Sequence, residues 1–199
     1  MNITTQMVKE LREETGAGVL EAKKALESAN GDFAKAANIL REKGAARAAK
    51  RADRDASEGV VELYAHPGSR VGVILELNCE TDFVAKTPKF RELAHDLALH
   101  IAALAPKYIT VEDVDASELE NESQILRKQA LAEGKPEAIV EKIIAGRLSK
   151  FYEQVCLMEQ PFVKDDSVRV KDLILEAIRT TGENIKVRRF ARYELGEGL

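Results

Sequence analysis

The residues that could carry out chemistry are few, and their spacing suits little of it. Glu76, Glu80 and Asp82 are three carboxylates close together in the sequence. Strand alternation would put Glu76 and Glu80 on one face. No pocket signal surrounds them, so they read as surface charges and not as a general acid–base pair. The histidines are His66, His95 and His100. The spacing of His95 and His100 misses the i, i+4 pattern with which a helix presents two metal ligands, so core or surface imidazoles fit better. "GAGVLEAKK" has the glycines of a phosphate loop, but a Walker A loop follows a strand and ends in Gly-Lys-Ser/Thr. Here the glycines follow a helical pattern. Cys79 has no basic neighbour to lower its pKa and reads as a buried strand cysteine. Cys79 and Cys156 form no CxxC pair and cannot make a disulfide framework. With no catalytic constellation, no metal ligand set and no cofactor loop, the chain reads as a binding protein, not an enzyme.

The elements that would position any site follow from composition and period. A chain of 199 residues suggests one or two domains, and 45% hydrophobic content is enough to bury a core. The formal net charge of -4 argues against nucleic acid or an anionic membrane as the partner. No apolar run approaches the roughly 20 residues that span a bilayer. "MNITTQMVKELREE" is neither a signal peptide nor a transit sequence. A reduced, cytoplasmic protein is the expectation.

The first segment has helical period. Ile3, Met7 and Leu11 share a face after possible threonine caps, and Gly16 suits a left-handed helix end. "VLEAKKALESA" follows, and Asp32 can cap a third helix whose face is Phe33, Ala36, Ala37 and Leu40. Helix, glycine loop, helix, "NGDF", helix is the pattern of ubiquitin-associated-like domains, small recognition modules. The expected domain is 1–53. "REKGAARAAKRADRDASEG" reads as a basic helix end running into a linker that reaches about 57; its Arg47, Lys50, Arg51 and Arg54 could bind phosphates, but a solvated linker with Asp53 and Asp55 as counter-charges is the better reading. The period then becomes that of strands. "GVVELYAH" and "RVGVILELN", joined by "PGS", predict an antiparallel hairpin. Thr87 and Pro88 open a helix whose stripe is Phe90, Leu93, Leu97, Ile101 and Leu104. Two more helices meet at Gly134 and Pro136. Ser167 is a possible cap for "VRVKDLILEAIRTTG", and "NIKVRRFARYEL" predicts a third strand beside the hairpin. The fold class is α+β: the three-helix bundle, then a 58–199 core with a three-stranded antiparallel sheet packed by helices on one side.

Between hairpin and helix stands "NCETDFVAK". Its Phe83 is either tucked under the turn or presented to something outside; the residue pattern leaves both open. "LREETGAGVLEAKKAL", "ELNCETDFVAK", "FYEQVCLMEQPFVKD" and "RRFARYELGEG" resemble bacterial elongation factor Ts, in order and from first helix to last strand. That family exchanges the nucleotide of elongation factor Tu. The resemblance implies that Thr81, Asp82, Phe83 and Val84 protrude as a wedge into the G domain of elongation factor Tu. There they disturb the magnesium site beside GDP. It also implies that the N-terminal module docks on the same domain, with Val19 and Leu20 as contact candidates; core packing is an equal reading for at least one of them. The partner would be bound both with GDP and nucleotide-free. The second core half and coiled-coil insertion of long members are missing, so a homodimer is expected. An adaptor of ubiquitin-associated type without exchange activity is the alternative, and an RNA-associated protein using the linker arginines and "KVRRFAR" is a third.

Overall fold

The computed structural model describes residues 3–51, 53–134 and 136–198, and the backbone alone at 45 and 47–49, so the side chain of Arg47 lies outside the described residues. Contacts divide the chain into two compact units. The first comprises Met1–Val60, Leu77–Arg91 and Leu173–Lys186; the second comprises Val61–Glu76, Glu92–Asp172 and Val187–Leu199.

The first unit begins with α1 (Thr5–Thr15), α2 (Val19–Ser28) and α3 (Phe33–Ala49). Thr4 caps α1 by accepting from the Met7 N–H at 3.2 Å. Gly16 ends α1 at φ 60, a conformation a side chain resists, and its N–H returns to the Arg12 carbonyl at 2.7 Å. Asp32 caps α3 through the Lys35 N–H at 3.0 Å, which holds its carboxyl below the usual range. The three helices enclose a core of their own, with Leu11, Ala22, Ala25, Leu26, Ala36 and Leu40 buried. The alanines let the helices approach closely, and burying each leucine contributes about 1.5–3 kcal/mol. After α3 the linker is tied down. Ala56 is buried, and the Arg54 carbonyl accepts from Asn184 Nδ2 at 2.9 Å.

Strands β1 (Glu58–Ala65), β2 (Val71–Cys79) and a later strand, numbered β5 (Lys186–Glu194), form an antiparallel sheet in the order β1-β2-β5. The hairpin closes through the His66 N–H to the Val71 carbonyl at 2.9 Å. In β2, Val73, Leu75 and Leu77 are buried while Ile74 is exposed, the alternation expected of a sheet covered on one face. At Gly59 (φ 148) β1 runs hard against the backbone of β2. A Cβ there would lie 2.1 Å from the Leu77 carbonyl oxygen, so only glycine fits.

Between the hairpin and the next long helix lies a short helix, α4 (Asp82–Ala85). The next helix, α5 (Pro88–Leu104), which enters the second unit at Glu92, buries Ala94, Leu97, Ala98 and Ile101. Its opening is as expected, since Thr87 Oγ1 accepts from the Phe90 N–H at 3.3 Å. His95 meets Glu62 of β1 at 2.9 Å, and Arg192 of β5 donates to the Ala102 carbonyl at 3.3 Å. The other sheet face leaves Val61, Leu63, Ile74 and Tyr193 exposed, crossed by the Glu76–Arg189 ion pair at 2.7 Å. Helices α6 (Ala116–Ala132) and α7 (Glu137–Val155) form a hairpin around Leu126, Ala130, Val140 and Ile144.

One element departs from the sequence reading. Strands β3 (Pro161–Phe162) and β4 (Asp165–Arg169) form a small antiparallel hairpin, and α8 (Val170–Thr181) starts after it. Ser167 is therefore no helix cap. Its N–H and hydroxyl donate to Asp165 Oδ1 at 3.1 and 2.6 Å, bonds that lie within β4, where its register against β3 shifts.

His100 is fully buried, stacked on Phe162 with ring centroids 5.9 Å apart. The Val163 N–H donates to its Nδ1 at 3.2 Å, so the proton is on Nε2 and points to Gln160 Oε1 at 2.9 Å. Burial pushes its pKa below the ordinary 6.5, partly opposed by the Gln160 bond. The unfolded chain then takes up a proton at a pH where the folded chain does not. This stabilisation is complete above pH 6.5 and is lost progressively as the pH falls below it. Thermal melts from pH 8 to pH 5 are expected to show the gap between wild type and His100→Gln narrowing only below about pH 6.5. A gap that stays constant with pH contradicts this.

Candidate functional site

The stretch after β2 is built from a saturated polar base and an apolar tip. Thr81 leaves the strand in extended conformation (φ -129, ψ 153) and caps α4, its Oγ1 accepting from the Val84 N–H at 3.4 Å. A helix of one turn has no stability of its own, so its position depends on that cap. Thr81 is in turn held by Glu183. The Thr81 N–H donates to Glu183 Oε2 at 3.0 Å and the Thr81 hydroxyl to Oε1 at 2.6 Å. Next to it, Glu80 Oε1 accepts from the Asn184 N–H at 2.7 Å, and its carboxylate meets Arg54 Nη1 at 3.4 Å. The Cys79 thiol donates to the Thr81 carbonyl at 3.1 Å; burial, helped by the Glu183 charge, pushes its pKa up to about 11. It is a structural thiol. On the far side Ala85 is buried, and the Thr87 hydroxyl donates to the Val84 carbonyl at 2.8 Å.

Above this base Phe83 is 80% exposed. The reading that tucks it under the turn is excluded. Asp82 sits beside it, paired with Lys86 at 2.5 Å, and that hydrogen bond holds its carboxyl below the usual range. The tip therefore presents a large apolar ring next to a carboxylate that stays ionised at neutral pH.

The other residues that could do chemistry are engaged elsewhere. Glu76 pairs with Arg189, Glu80 with Arg54 and Asn184, and Asp82 with Lys86. His95 is taken by Glu62 and His100 by Gln160. Among the described residues no group of three or more His, Cys, Asp or Glu could hold a metal ion, and no helix is long and apolar enough to cross a membrane. A cavity of about 340 Å³ between α6 and α7 is lined by Glu120, Ser123, Gln124, Arg127 and Glu141, and its serine hydroxyl donates to the Leu119 carbonyl at 2.8 Å.

Val19 and Leu20 open α2 directly after Gly18, and they are 56% and 73% exposed. Neither is part of the bundle core. Glu183 and Asn184, which bond Thr81 and Glu80, gave no signal in the sequence. They stand 102 and 104 residues from the groups they bind, and an isolated Glu-Asn pair after a helix reads as loop.

A family model described as "Elongation factor TS" matches residues 1–197. An elongation factor Ts of Carboxydothermus hydrogenoformans is 60% identical over 197 residues, covering 99% of this chain and 91% of that protein. One of Herpetosiphon aurantiacus is 58% identical over 196 residues, 98% of this chain and 99% of that protein. One of Moorella thermoacetica is 60% identical over 192 residues, 96% and 95% of the two chains.

Because the ring of Phe83 lies in water, truncating it removes almost no packing. Phe83→Ala is expected to change stability by no more than about 0.5 kcal/mol, as surface substitutions do. A buried phenylalanine would cost about 3–5 kcal/mol. Chemical denaturation of the two proteins distinguishes these, and a loss in the larger range contradicts the geometry.

Proposed function

The chain belongs to the elongation factor Ts family, and from that membership we propose that it is a guanine nucleotide exchange factor for elongation factor Tu in cytoplasmic translation. The observation that carries this reading is the exposed Phe83 on an immobilised base. GDP is held through its phosphates, by a cradle of backbone amides and a magnesium ion. A rigid wedge driven beside that site shifts the groups that hold the ion and the phosphates. No covalent step is needed. The aromatic tip suits such a contact, since buried aromatic rings dominate protein interfaces. Asp82 adds a negative charge where the partner has arranged its groups to bind a cation. Thr81 and Val84 complete the contact surface.

The bundle acts as a second anchor. Residues 1–53 form a docking module, and Val19 and Leu20 are its contacts; both are apolar, exposed and adjacent on the first turn of α2. Their role is affinity, whereas that of Phe83 is displacement of the nucleotide.

Release of labelled GDP from elongation factor Tu, measured against factor concentration, tests the proposal. Wild type should accelerate release many-fold, and the same release rate with and without the factor would refute the exchange reading. Phe83→Ala should lose about 2 kcal/mol or more of that effect, roughly thirtyfold. Leu20→Ala should raise the half-saturating concentration while leaving the plateau rate.

We also propose that the chain is a homodimer through the open sheet face. Val61, Leu63, Ile74 and Tyr193 form an apolar patch on three adjacent strands, of a kind that soluble proteins usually cover. A twofold axis covers it with a second copy, and twofold pairing is the commonest closed assembly. Sedimentation on the order of tens of micromolar should give a dimer, and Leu63→Asp a monomer. A wild type that stays strictly monomeric there contradicts the dimer.

A further inference from the structure

Glu183 touches neither the exposed ring nor the exposed carboxylate of the wedge, yet it fixes the residue on which both depend. The single hydroxyl proton of Thr81 goes to Glu183 Oε1 at 2.6 Å, which leaves the Oγ1 lone pairs to receive the Val84 N–H. The backbone N–H of Thr81 goes to the other oxygen of the same carboxylate at 3.0 Å. Both bonds are charge-assisted, and together they set position and direction at the start of α4. Glu183 is itself placed by the end of α8. Gly182 closes that helix in left-handed conformation (φ 77), its N–H bonding the Ile178 carbonyl at 2.9 Å, and the Glu183 N–H donates to Thr181 Oγ1 at 3.3 Å.

The same stretch of α8 also holds the bundle. A Cβ at Gly16 would lie 3.3 Å from Arg179 Nη2, and one at Gly44 would lie 3.1 Å from Arg179 Cδ, so the Arg179 side chain lies across both backbones. Gly16 belongs to the loop that leads into Val19 and Leu20. One helix end is thus in contact with the loop before the apolar residues of α2 and with the cap of α4.

We propose that Glu183 is the positioning residue of the wedge: it sets the aim of Phe83, so that its loss lowers the maximal rate of nucleotide release without lowering affinity for the partner. This rests on the exchange reading above. Without the carboxylate, α4 has only a cap whose hydroxyl is free to turn, and Phe83 samples directions in which it binds but does not displace. Misplacing a working group costs up to about a hundredfold in rate.

The full chain and its Glu183→Gln variant test this. Glutamine keeps one acceptor and similar size, so folding is retained. In GDP release from elongation factor Tu, Glu183→Gln should lower the plateau rate roughly tenfold and leave the half-saturating concentration within about threefold. Thr81→Val, which alters the contact surface as well, should also lower the plateau rate whatever it does to the half-saturating concentration, and the plateau of the double variant should be no lower than that of the slower single one, because Glu183 acts through Thr81. An unchanged plateau, or losses that multiply, overturns the proposal. Amide hydrogen exchange without any partner gives the second readout. Protection at Val84 and Ala85 should fall in Glu183→Gln while that of Leu11 and Leu26 holds. Equal protection in both proteins overturns the positioning role even if the wild type were found to release no GDP; that last result by itself would refute only the exchange reading.

Discussion

Two hydrogen bonds from Thr81 to the carboxylate of Glu183 decide where the most exposed aromatic ring of the chain points. An exposed phenylalanine gives up the roughly 1.5–3 kcal/mol that burial would return. Nothing local compensates for that loss, since α4 is a single turn. The compensation is in the surroundings. Cys79, Glu80, Thr81, Ala85 and Thr87 are each buried or bonded, so the ring can stay in water without the segment refolding around it. An exposed apolar residue on a saturated base is what the proposed contact with a partner requires.

Such a site needs no reactive group, and the side chains that might have supplied one serve the fold. His100 is a neutral buried imidazole, and both cysteine thiols are pushed up to about 11, chiefly by burial. What exchange demands is a difference in binding energy between two states of the partner. A protein that bound those states equally well would displace nothing. Rigidity at the base and exposure at the tip are therefore the same requirement, met at two ends of one segment.

Much of this fold was legible from period alone. The alternation of "GVVELYAH" and "RVGVILELN", the apolar stripe of α5 and the glycine breaks of the bundle each specify an element from neighbouring residues. The β3–β4 hairpin was not, because Pro161–Phe162 is too short to show alternation and Asp165–Arg169 is mostly polar. Ser167 followed by "VRVK" looks like a helix start; only the pairing of Asp165–Arg169 with β3 shows a strand there. The direction of Phe83 was undecidable from its neighbours, since a phenylalanine after Thr-Asp suits a plug or a tip. Glu183 was invisible for a different reason. A carboxylate in a loop acquires its role only when the fold brings it to a threonine 102 residues away.

The central claim is that Phe83 couples binding of this chain to loss of GDP, and coupling is reciprocal. The most direct measurement is the affinity of the chain for elongation factor Tu, nucleotide-free and saturated with GDP, for wild type and Phe83→Ala. The wedge predicts that GDP weakens wild-type binding by a large factor, equal to the factor by which the chain weakens GDP binding. In Phe83→Ala that factor should fall most of the way to one. If GDP weakens the binding of Phe83→Ala as strongly as that of wild type, the ring does not act on the nucleotide, and the wedge is contradicted.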